Sequence, residues 1–279
     1  MKKILTLALV LTMVLSLFAG CGSAGKEKAI LKVAISPDFA PMEFVDPSKT
    51  GQDQYVGFDV FLAKYIAEEL GMELQIMPMD FQACQTAVAM GTVDMSISGF
   101  SWTAERAENY NLSDYYYAGD NETEQVLITT KENAGKYTTV DSLKGLKVGA
   151  QSASLQEALC KEQLPETSLV VFTDINTGVL QLKKGDFDVM AVATGNADAI
   201  INSNPDLALA GFNFEVTDEE SNNLILLKKG NDELTQKVNE ILAKAYAAGK
   251  YGEWYAAAEE LAGIGVEISY DENGNPITD

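Results

Sequence analysis

The sequence predicts an α/β protein with two lobes, and three observations support this fold class. Apolar strand-like runs alternate with amphipathic helical runs, which favours a parallel sheet with right-handed crossovers. The pattern that surrounds Asp80 recurs around Asp174, 94 residues further along the 279-residue chain. Two extended segments, 117–125 and 214–222, are acidic or rich in small residues, and each is expected to cross between the lobes.

The first lobe is expected to alternate strands and helices from its start. Its expected elements are strands at 30–36, 72–79 and 93–98 and helices at 57–70 and 81–90. Gly71 and Gly91 follow the two helices, where a left-handed glycine commonly ends a helix. Gly99 is expected to end the third strand. The segments 37–41 and 47–54, which are rich in turn residues, are expected to be loops.

The internal repeat runs without a gap at its constant offset. Both copies contain a strand, an Asp, an amphipathic helix, a Gly-x-x-Asp turn and an apolar strand. The matching anchors are Asp80 with Asp174, Gly91 with Gly185, and Asp94 with Asp188. Two unrelated strand–helix units could share these anchors, but either origin predicts two successive α/β lobes with a cleft between their sheets. We interpret the last pair as strand-start or helix-packing residues and not as acid/base groups.

The two crossings divide the rest of the chain. Lobe I is expected to hold 29–118 and 222–279, lobe II 124–215, and the hinge 119–123 and 216–221. Strands are expected at 126–130 and 223–228, and two helices at 232–248 and 251–261 are separated by Gly249. The segment 266–276 is a weak hairpin candidate without an assigned role.

The N-terminus predicts export and a lipid anchor. Residues 1–20 combine two lysines with a short apolar run, which is typical of a signal peptide. The segment 17–23 resembles a bacterial lipobox, in which Cys21 would be lipidated, and 21–28 would be a short tether. A plain signal peptide beside an incidental cysteine is the alternative. Cleavage would remove two lysines and no acid, so the net charge would move from −21 to −23. Such an acidic chain is not expected to bind nucleic acid.

The residue composition also disfavours some classes of catalytic and metal-binding site, because histidine is absent and cysteines are few. The sequence contains no histidine, the commonest general base and transition-metal ligand, so hydrolase and zinc chemistry are disfavoured. Only Cys84 and Cys160 remain after Cys21, one in each half, and they do not indicate a disulfide framework. No cofactor and no metal are therefore expected.

A candidate binding site begins where the third strand ends. Ser98, Gly99 and Ser101 follow an apolar strand and precede Thr103, the expected N-cap of a short helix that carries Arg106. Open α/β sheets bind ligands at the carboxyl ends of their strands, and an arginine can hold a carboxylate through two hydrogen bonds. The alternative is a solvated arginine beside an ordinary strand–helix turn.

From about residue 31 to residue 261 the chain resembles the extracytoplasmic solute-binding proteins of ABC importers, specifically the polar amino-acid group, family 3. The matching motifs are Val56-Gly-Phe-Asp-Val-Phe-Leu-Ala63, Met79-Asp-Phe81, Gly91-x-x-Asp94, Thr103-Ala-Glu-Arg106, Leu143-Lys-Gly-Leu-Lys-Val-Gly149 and Gly249-Lys-Tyr-Gly-Glu-Trp254. The resemblance implies a periplasmic-binding-protein-like (type II) fold, with two α/β lobes, a two-segment hinge and a ligand cleft between the lobes.

The resemblance also implies the contacts of a bound amino acid. Phe39 and Phe81 would form aromatic walls, the loop from Ser98 to Ser101 would bind the ammonium and carboxylate groups, and Arg106 would bind the carboxylate. The N–H and hydroxyl of Ser154 would bind the second oxygen of the ligand's carboxylate. The full set of expected ligand-binding residues is Phe39, Phe81, Ser98, Gly99, Phe100, Ser101, Arg106, Gln151, Ser154, Leu155 and Thr194.

Two positions depart from the family pattern. Ala193 stands where relatives usually carry the Asp that binds the ligand's ammonium, and Ser36 stands at a second acidic position. A buried ammonium without a carboxylate partner is unfavourable. We therefore expect either that Thr194, Asp198 or Asp38 replaces the missing acid, or that the ligand is not an ordinary α-amino acid.

The resemblance implies a monomeric lipoprotein on the extracytoplasmic face of the cell membrane, which delivers a small solute to ABC permease subunits without chemistry. Two or more acyl chains would anchor it stably. One alternative is an enzyme on the same fold, similar to the cyclohexadienyl dehydratases, although these need an acid where this chain has Ala193. A second is a sensor module that presents ligand to a signalling partner.

Overall fold

The computed structural model describes residues 28–117 and 124–263. The expected signal peptide, Cys21, the first hinge segment and the C-terminal hairpin lie outside these residues. Strands are β1 Ile30–Ile35, β2 Asp38–Phe39, β3 Glu43–Val45, β4 Tyr55–Val56, β5 Glu73–Pro78, β6 Met95–Ser101, β7 Tyr110–Leu112, β8 Gln125–Thr130, β9 Lys147–Gln151, β10 Ser168–Phe172, β11 Val189–Ala193, β12 Leu207–Asn213 and β13 Asn223–Lys228. Helices are α1 Phe58–Glu69, α2 Phe81–Met90, α3 Ala104–Asn109, α4 Val140–Leu143, α5 Leu155–Gln163, α6 Ile175–Lys184, α7 Thr194–Ser203, α8 Asp232–Ala247 and α9 Lys250–Leu261.

The first sheet has the strand order β5-β1-β6-β13-β7. Strand β1 pairs in parallel with β5 and β6, as the alternating pattern predicts. Strand β13 returns from the second half of the chain and pairs antiparallel with both β6 and β7. Apolar side chains cover both faces of this sheet, with α1, α8 and α9 on one face and α2 on the other.

The second sheet has the order β10-β9-β11-β8-β12. Strand β9 pairs in parallel with β10 and β11, and β8 pairs antiparallel with β11 and β12. Two further apolar clusters cover its faces. We refer to the elements around the first sheet as unit 1 and to those around the second sheet, β8 to β12, as unit 2.

The two copies of the repeat have the same local structure. The carboxylates of Asp80 and Asp174 cap α2 and α6, accepting from the N–H groups three residues further on at 2.8 Å in each case. Gly91 and Gly185 end these helices in the left-handed conformation. Asp94 accepts the Lys32 N–H at 2.7 Å, and Asp188 accepts the Lys147 N–H at 2.8 Å. The repeated aspartates thus hold neighbouring strands together at their starts, as the sequence predicts.

Two predictions for unit 1 are wrong. Gly99 does not end the third strand, because β13 pairs with Phe100 and Ser101 and so extends the ladder past it. The segments predicted as loops contain β2 and a short 3₁₀ helix, and β2 joins β3 and β4 in a small antiparallel sheet. The prediction missed this sheet because its strands have only two or three residues, too few to show a period.

Among the described residues, none of the helices has the length and apolar character needed to cross a membrane. Cys84 and Cys160 are both buried and unpaired.

Candidate functional site

A cavity lies between the two units and encloses about 490 Å³ of space, part of it open to solvent. The carboxyl ends of β6 and β11 and the N-termini of α5 and α6 contribute to its walls. Nine of the eleven expected ligand-binding residues line it, namely Phe39, Phe81, Ser98, Gly99, Ser101, Arg106, Gln151, Ser154 and Leu155. The lining also includes Asp38, Glu43, Gln156, Ile175, Ala191, Val192, Ala193 and Asn196.

Arg106 is buried in the cavity wall, with 3% of its surface exposed. Thr103 caps α3 by accepting the Arg106 N–H, which confirms the predicted N-cap. The guanidinium donates to the Ser101 carbonyl at 2.6 Å and to the Ala153 carbonyl at 2.9 Å, and it lies 5.6 Å from the centre of the Phe81 ring. No carboxylate among the described residues pairs with it. Burial lowers the pKa of Arg106 to about 10, so the side chain stays charged at neutral pH and can bind an anion.

The two hydrogen-bonding groups expected at Ser154 are held within their own loop. Its N–H contacts the Gln151 carbonyl at 3.3 Å and its hydroxyl donates to the same oxygen at 2.7 Å. The hydroxyl also accepts the Glu157 N–H, so Ser154 caps α5. The first turn of α5 points toward the cavity through Leu155, and the free N–H groups of such a turn favour a negative group nearby.

Asp38 supplies an acidic group to the cavity. Its carboxylate accepts the Ser36 hydroxyl at 2.8 Å, the Ile175 N–H at 2.7 Å and the Gln151 amide at 3.1 Å. Burial raises the pKa of Asp38 to about 6 although these donors favour the anion. Ser36, at the usually acidic position, thus supports an acid two residues later.

Glu43 is a second acid in the cavity wall, and sequence reasoning missed it. It accepts the Ser98 hydroxyl and lies beside the fully buried Asp59, which accepts the Gly99 N–H at 2.8 Å. Burial, and then the charge of Asp59, raise the pKa of Glu43 well above its usual value. Burial raises the pKa of Asp59 to about 6. The available signal was the Gly-Phe-Asp motif at the start of α1, but the pairing of β3 with β4 that brings Glu43 there was not foreseen.

The remaining expected residues occupy different places. Phe100 is fully buried beneath Phe81, with ring centres 4.7 Å apart, and lies outside the cavity lining. Thr194 also lies outside the lining, and its hydroxyl donates to the Glu124 carbonyl at 2.9 Å. Asp198, a possible replacement for the missing acid, is not among the lining residues either. Of the three replacements considered for the family aspartate, the structure places Asp38 in the cavity.

Hydrogen bonds join the two units around the cavity. Asp38 of unit 1 accepts from Ile175 and Gln151 of unit 2, and the Gln85 amide donates to the Ala153 carbonyl at 3.1 Å. Further contacts join the Ser152 hydroxyl to Gln82 and the Asn196 amide to the Ala40 carbonyl. The units are therefore in contact at several points around the cavity.

Comparison with known protein families agrees with the fold and the site. The model of bacterial extracellular solute-binding proteins, family 3, matches residues 31–257. The chain belongs to this family. It is similar to the arginine-binding extracellular protein ArtP of Bacillus subtilis (strain 168), with 34% identity over 253 residues that cover 87% of this chain and 92% of that protein.

Solved structures of the family share the type II periplasmic-binding-protein fold of this chain. The substrate-binding protein AbpA of Streptococcus pneumoniae, bound to L-arginine, has a TM-score of 0.76 and 35% identity and covers 84% of this chain and 96% of its own. An ancestral arginine-binding protein bound to glutamine has a TM-score of 0.73 and 30% identity and covers 82% and 97%. The chain is thus an extracellular solute-binding protein of family 3, and these relatives bind amino acids.

Proposed function

We propose that this solute-binding protein binds an amino acid with a cationic side chain, of which arginine is the first candidate. The observation that carries the proposal is the uncompensated negative charge of the cavity. Asp38 contributes one negative charge, the neighbouring carboxyls of Glu43 and Asp59 contribute at least one, and Arg106 contributes one positive charge. A zwitterionic ligand would leave this balance negative, whereas an amino acid with one extra positive charge offsets it.

The ligand's carboxylate binds at the opposite wall in this proposal. Arg106 has five N–H groups, and its hydrogen bonds to Ser101, Ala153 and the Gln85 amide oxygen leave donors for a ligand. The first turn of α5 lies across the cavity and adds its N–H groups. Phe39 and Phe81 flank the remaining apolar length of the ligand.

The relatives support this ligand class. ArtP is named for arginine binding, and the AbpA structure contains L-arginine. A glutamine-bound relative of similar identity makes a neutral amide side chain the competing ligand. The acidic cavity wall favours the cation over the amide, because a buried carboxylate without a cationic partner is unfavourable.

Calorimetric titration of arginine against citrulline tests the proposal, because citrulline has nearly the same shape without the charge. We expect arginine to bind at least about tenfold more tightly, which corresponds to about 1.4 kcal/mol. Asp38→Asn should reduce this preference, and the exposed Asp53→Asn is the matched control that should keep it. Equal binding of the two ligands by the wild-type protein would contradict the proposed ligand class.

We further propose that binding closes two lobes about a hinge. Lobe I comprises 29–118 and 222–279, lobe II comprises 124–215, and 119–123 with 216–221 form the hinge. The division into two sheets and the contacts between Asp38 and Ile175 support this proposal. A ligand that touches both lobes favours the closed form through its higher affinity for that form. Arginine should reduce the radius of gyration in solution scattering, and no change would contradict closure.

The protein is also proposed to act without catalysis and from the membrane surface, where ABC permease subunits receive its ligand. The lipobox-like segment around Cys21 supports an anchored form. Expression in a bacterial host with labelled fatty acid should label the wild-type protein and not Cys21→Ser. Arginine recovered unchanged after long incubation would support the binding role, whereas a new product would contradict it.

A further inference from the structure

Two buried carboxyl groups meet at the cavity wall, Glu43 in the lining and Asp59 behind it. Glu43 in β3 and Asp59 at the start of α1 are both fully buried. One oxygen of Glu43 accepts the Ser98 hydroxyl, and one oxygen of Asp59 accepts the Gly99 N–H at 2.8 Å and the Tyr116 hydroxyl at 3.0 Å. The remaining oxygens, Glu43 Oε2 and Asp59 Oδ1, have no donor among the described residues.

A single proton accounts for both unpartnered oxygens. The two side chains lie within hydrogen-bonding reach of each other, so a proton on Glu43 can be donated to Asp59. Two neighbouring ionised carboxylates would repel each other in a buried setting, whereas one shared proton gives both oxygens a partner.

The surrounding groups place this proton on Glu43. Asp59 has two neutral donors that stabilise its anion, Gly99 N–H and the Tyr116 hydroxyl, whereas Glu43 has only the Ser98 hydroxyl. The other titratable groups that act on the pair are Asp38, whose charge disfavours an anionic Glu43, and the buried Tyr116 and Cys84. Arg106, on the Ser101 side of the cavity, is the cation among the described lining residues.

We propose that Glu43 is a neutral positioning residue, which keeps its proton whether or not ligand is bound and holds the Ser98–Gly99 backbone in its binding geometry. In this arrangement Ser98 also accepts the Ser36 N–H at 2.9 Å, so the β1 end, the ligand loop and the carboxyl pair form one connected network.

Charge balance explains why the proton stays. With Glu43 neutral, the cavity groups carry one net negative charge, which a ligand of net charge +1 neutralises. If Glu43 lost its proton on binding, the closed cavity would keep a buried negative charge without a partner, which is unfavourable. Asp38 is therefore the partner of the ligand's cation. This part of the inference rests on the proposed function.

The test compares Glu43→Gln with Glu43→Ala. A glutamine has the shape of a protonated glutamic acid and can both accept from Ser98 and donate to Asp59. We expect Glu43→Gln to bind arginine within about threefold of the wild type and Glu43→Ala to bind at least about tenfold more weakly, since the lost hydrogen bond leaves Asp59 Oδ1 without a donor. A loss of affinity as large in Glu43→Gln as in Glu43→Ala would overturn the proposal.

The number of protons released when arginine binds gives a second, independent test of whether Glu43 stays neutral. At pH 8 Asp38 is already ionised, so titrations in buffers with different heats of ionisation should give the same binding enthalpy for arginine. Release of about one proton per arginine would show that Glu43 ionises on binding and would overturn the proposal.

Infrared spectroscopy of the free protein separates this inference from the proposed function. A protonated carboxyl band should be present at pH 8 in the wild type and absent in Glu43→Gln. If arginine fails to bind, the ligand proposal is wrong, and the infrared band still decides whether Glu43 is neutral. A spectrum without that difference would contradict the inference regardless of the ligand.

Discussion

Replacing Glu43 by glutamine should change how the stability of the protein depends on pH. Burial, and then the charge of Asp59, raise the pKa of Glu43 in the folded state well above the value of about 4.3 that glutamate has in an unfolded chain. Folding above that pH must therefore take up a proton. Stability from this group is fully present below the unfolded pKa and is lost as the pH rises toward the folded pKa.

The magnitude follows from proton linkage. As the pH rises from the unfolded to the folded pKa of Glu43, the wild type loses about 1.4 kcal/mol of unfolding free energy per pH unit. Glu43→Gln has no proton to take up on folding and does not lose this free energy. Between pH 6.5 and 8.5 the variant should therefore gain stability relative to the wild type, by about 1.4 kcal/mol for each pH unit that lies below the folded pKa of Glu43. This window lies above the pKa of about 6 of Asp38 and Asp59, so both are mainly ionised in the wild type and contribute little to its slope.

Urea denaturation at several pH values measures the difference. The exposed Glu132→Gln is the matched control, because it makes the same chemical change outside the cavity and should follow the wild type at every pH. If the difference between Glu43→Gln and wild type stays constant from pH 6.5 to 8.5, Glu43 is already ionised in the folded protein and the shared-proton reasoning is refuted.

Three further substitutions test the site and its loops. Arg106→Ala should weaken arginine binding by about 2–5 kcal/mol in calorimetry, because it removes the proposed buried partner of the ligand's carboxylate, and an unchanged dissociation constant would reject that role. Gly99→Ala should lower the unfolding free energy by about 1–3 kcal/mol, because Gly99 has φ +56° and an added Cβ would lie 2.8 Å from the Phe39 ring; an unaltered denaturation midpoint would contradict this. Ala153→Gly should leave stability unchanged or raise it by up to about 1 kcal/mol, because relief of the strain at φ +59° exceeds the entropy cost of glycine, and a clear loss of stability would count against strain at this residue.

Much of the fold could be predicted because its signals are local. The helix over 81–90, its cap at Asp80 and its end at Gly91 depend on residues within a few positions of each other, and the repeat around Asp174 supplies a second example. The local sequence from Ser98 to Arg106 also predicted that Arg106 follows a strand and a helix start capped by Thr103. These features are decided by backbone geometry and periodicity, which a sequence carries directly.

The missed parts depend on contacts between distant segments. Gly99 was wrongly predicted to end a strand. The strand continues past it because β13, more than 120 residues further along the chain, pairs with Phe100 and Ser101. Glu43 reaches the cavity because β3 pairs with β4, and it meets Asp59 through the same short sheet. Neither pairing has a periodic signal long enough to detect in the sequence.

The sequence by itself determined the alternating α/β elements, the repeated caps and the family motifs, because each depends on neighbouring residues. Only the tertiary structure decided which acids share the cavity. It placed Asp38 against Ile175, left Thr194 outside the lining and buried Glu43 against Asp59. The charge of a binding cavity is a sum over residues that meet through folding, and burial then changes their protonation, so it follows from the fold and not from composition.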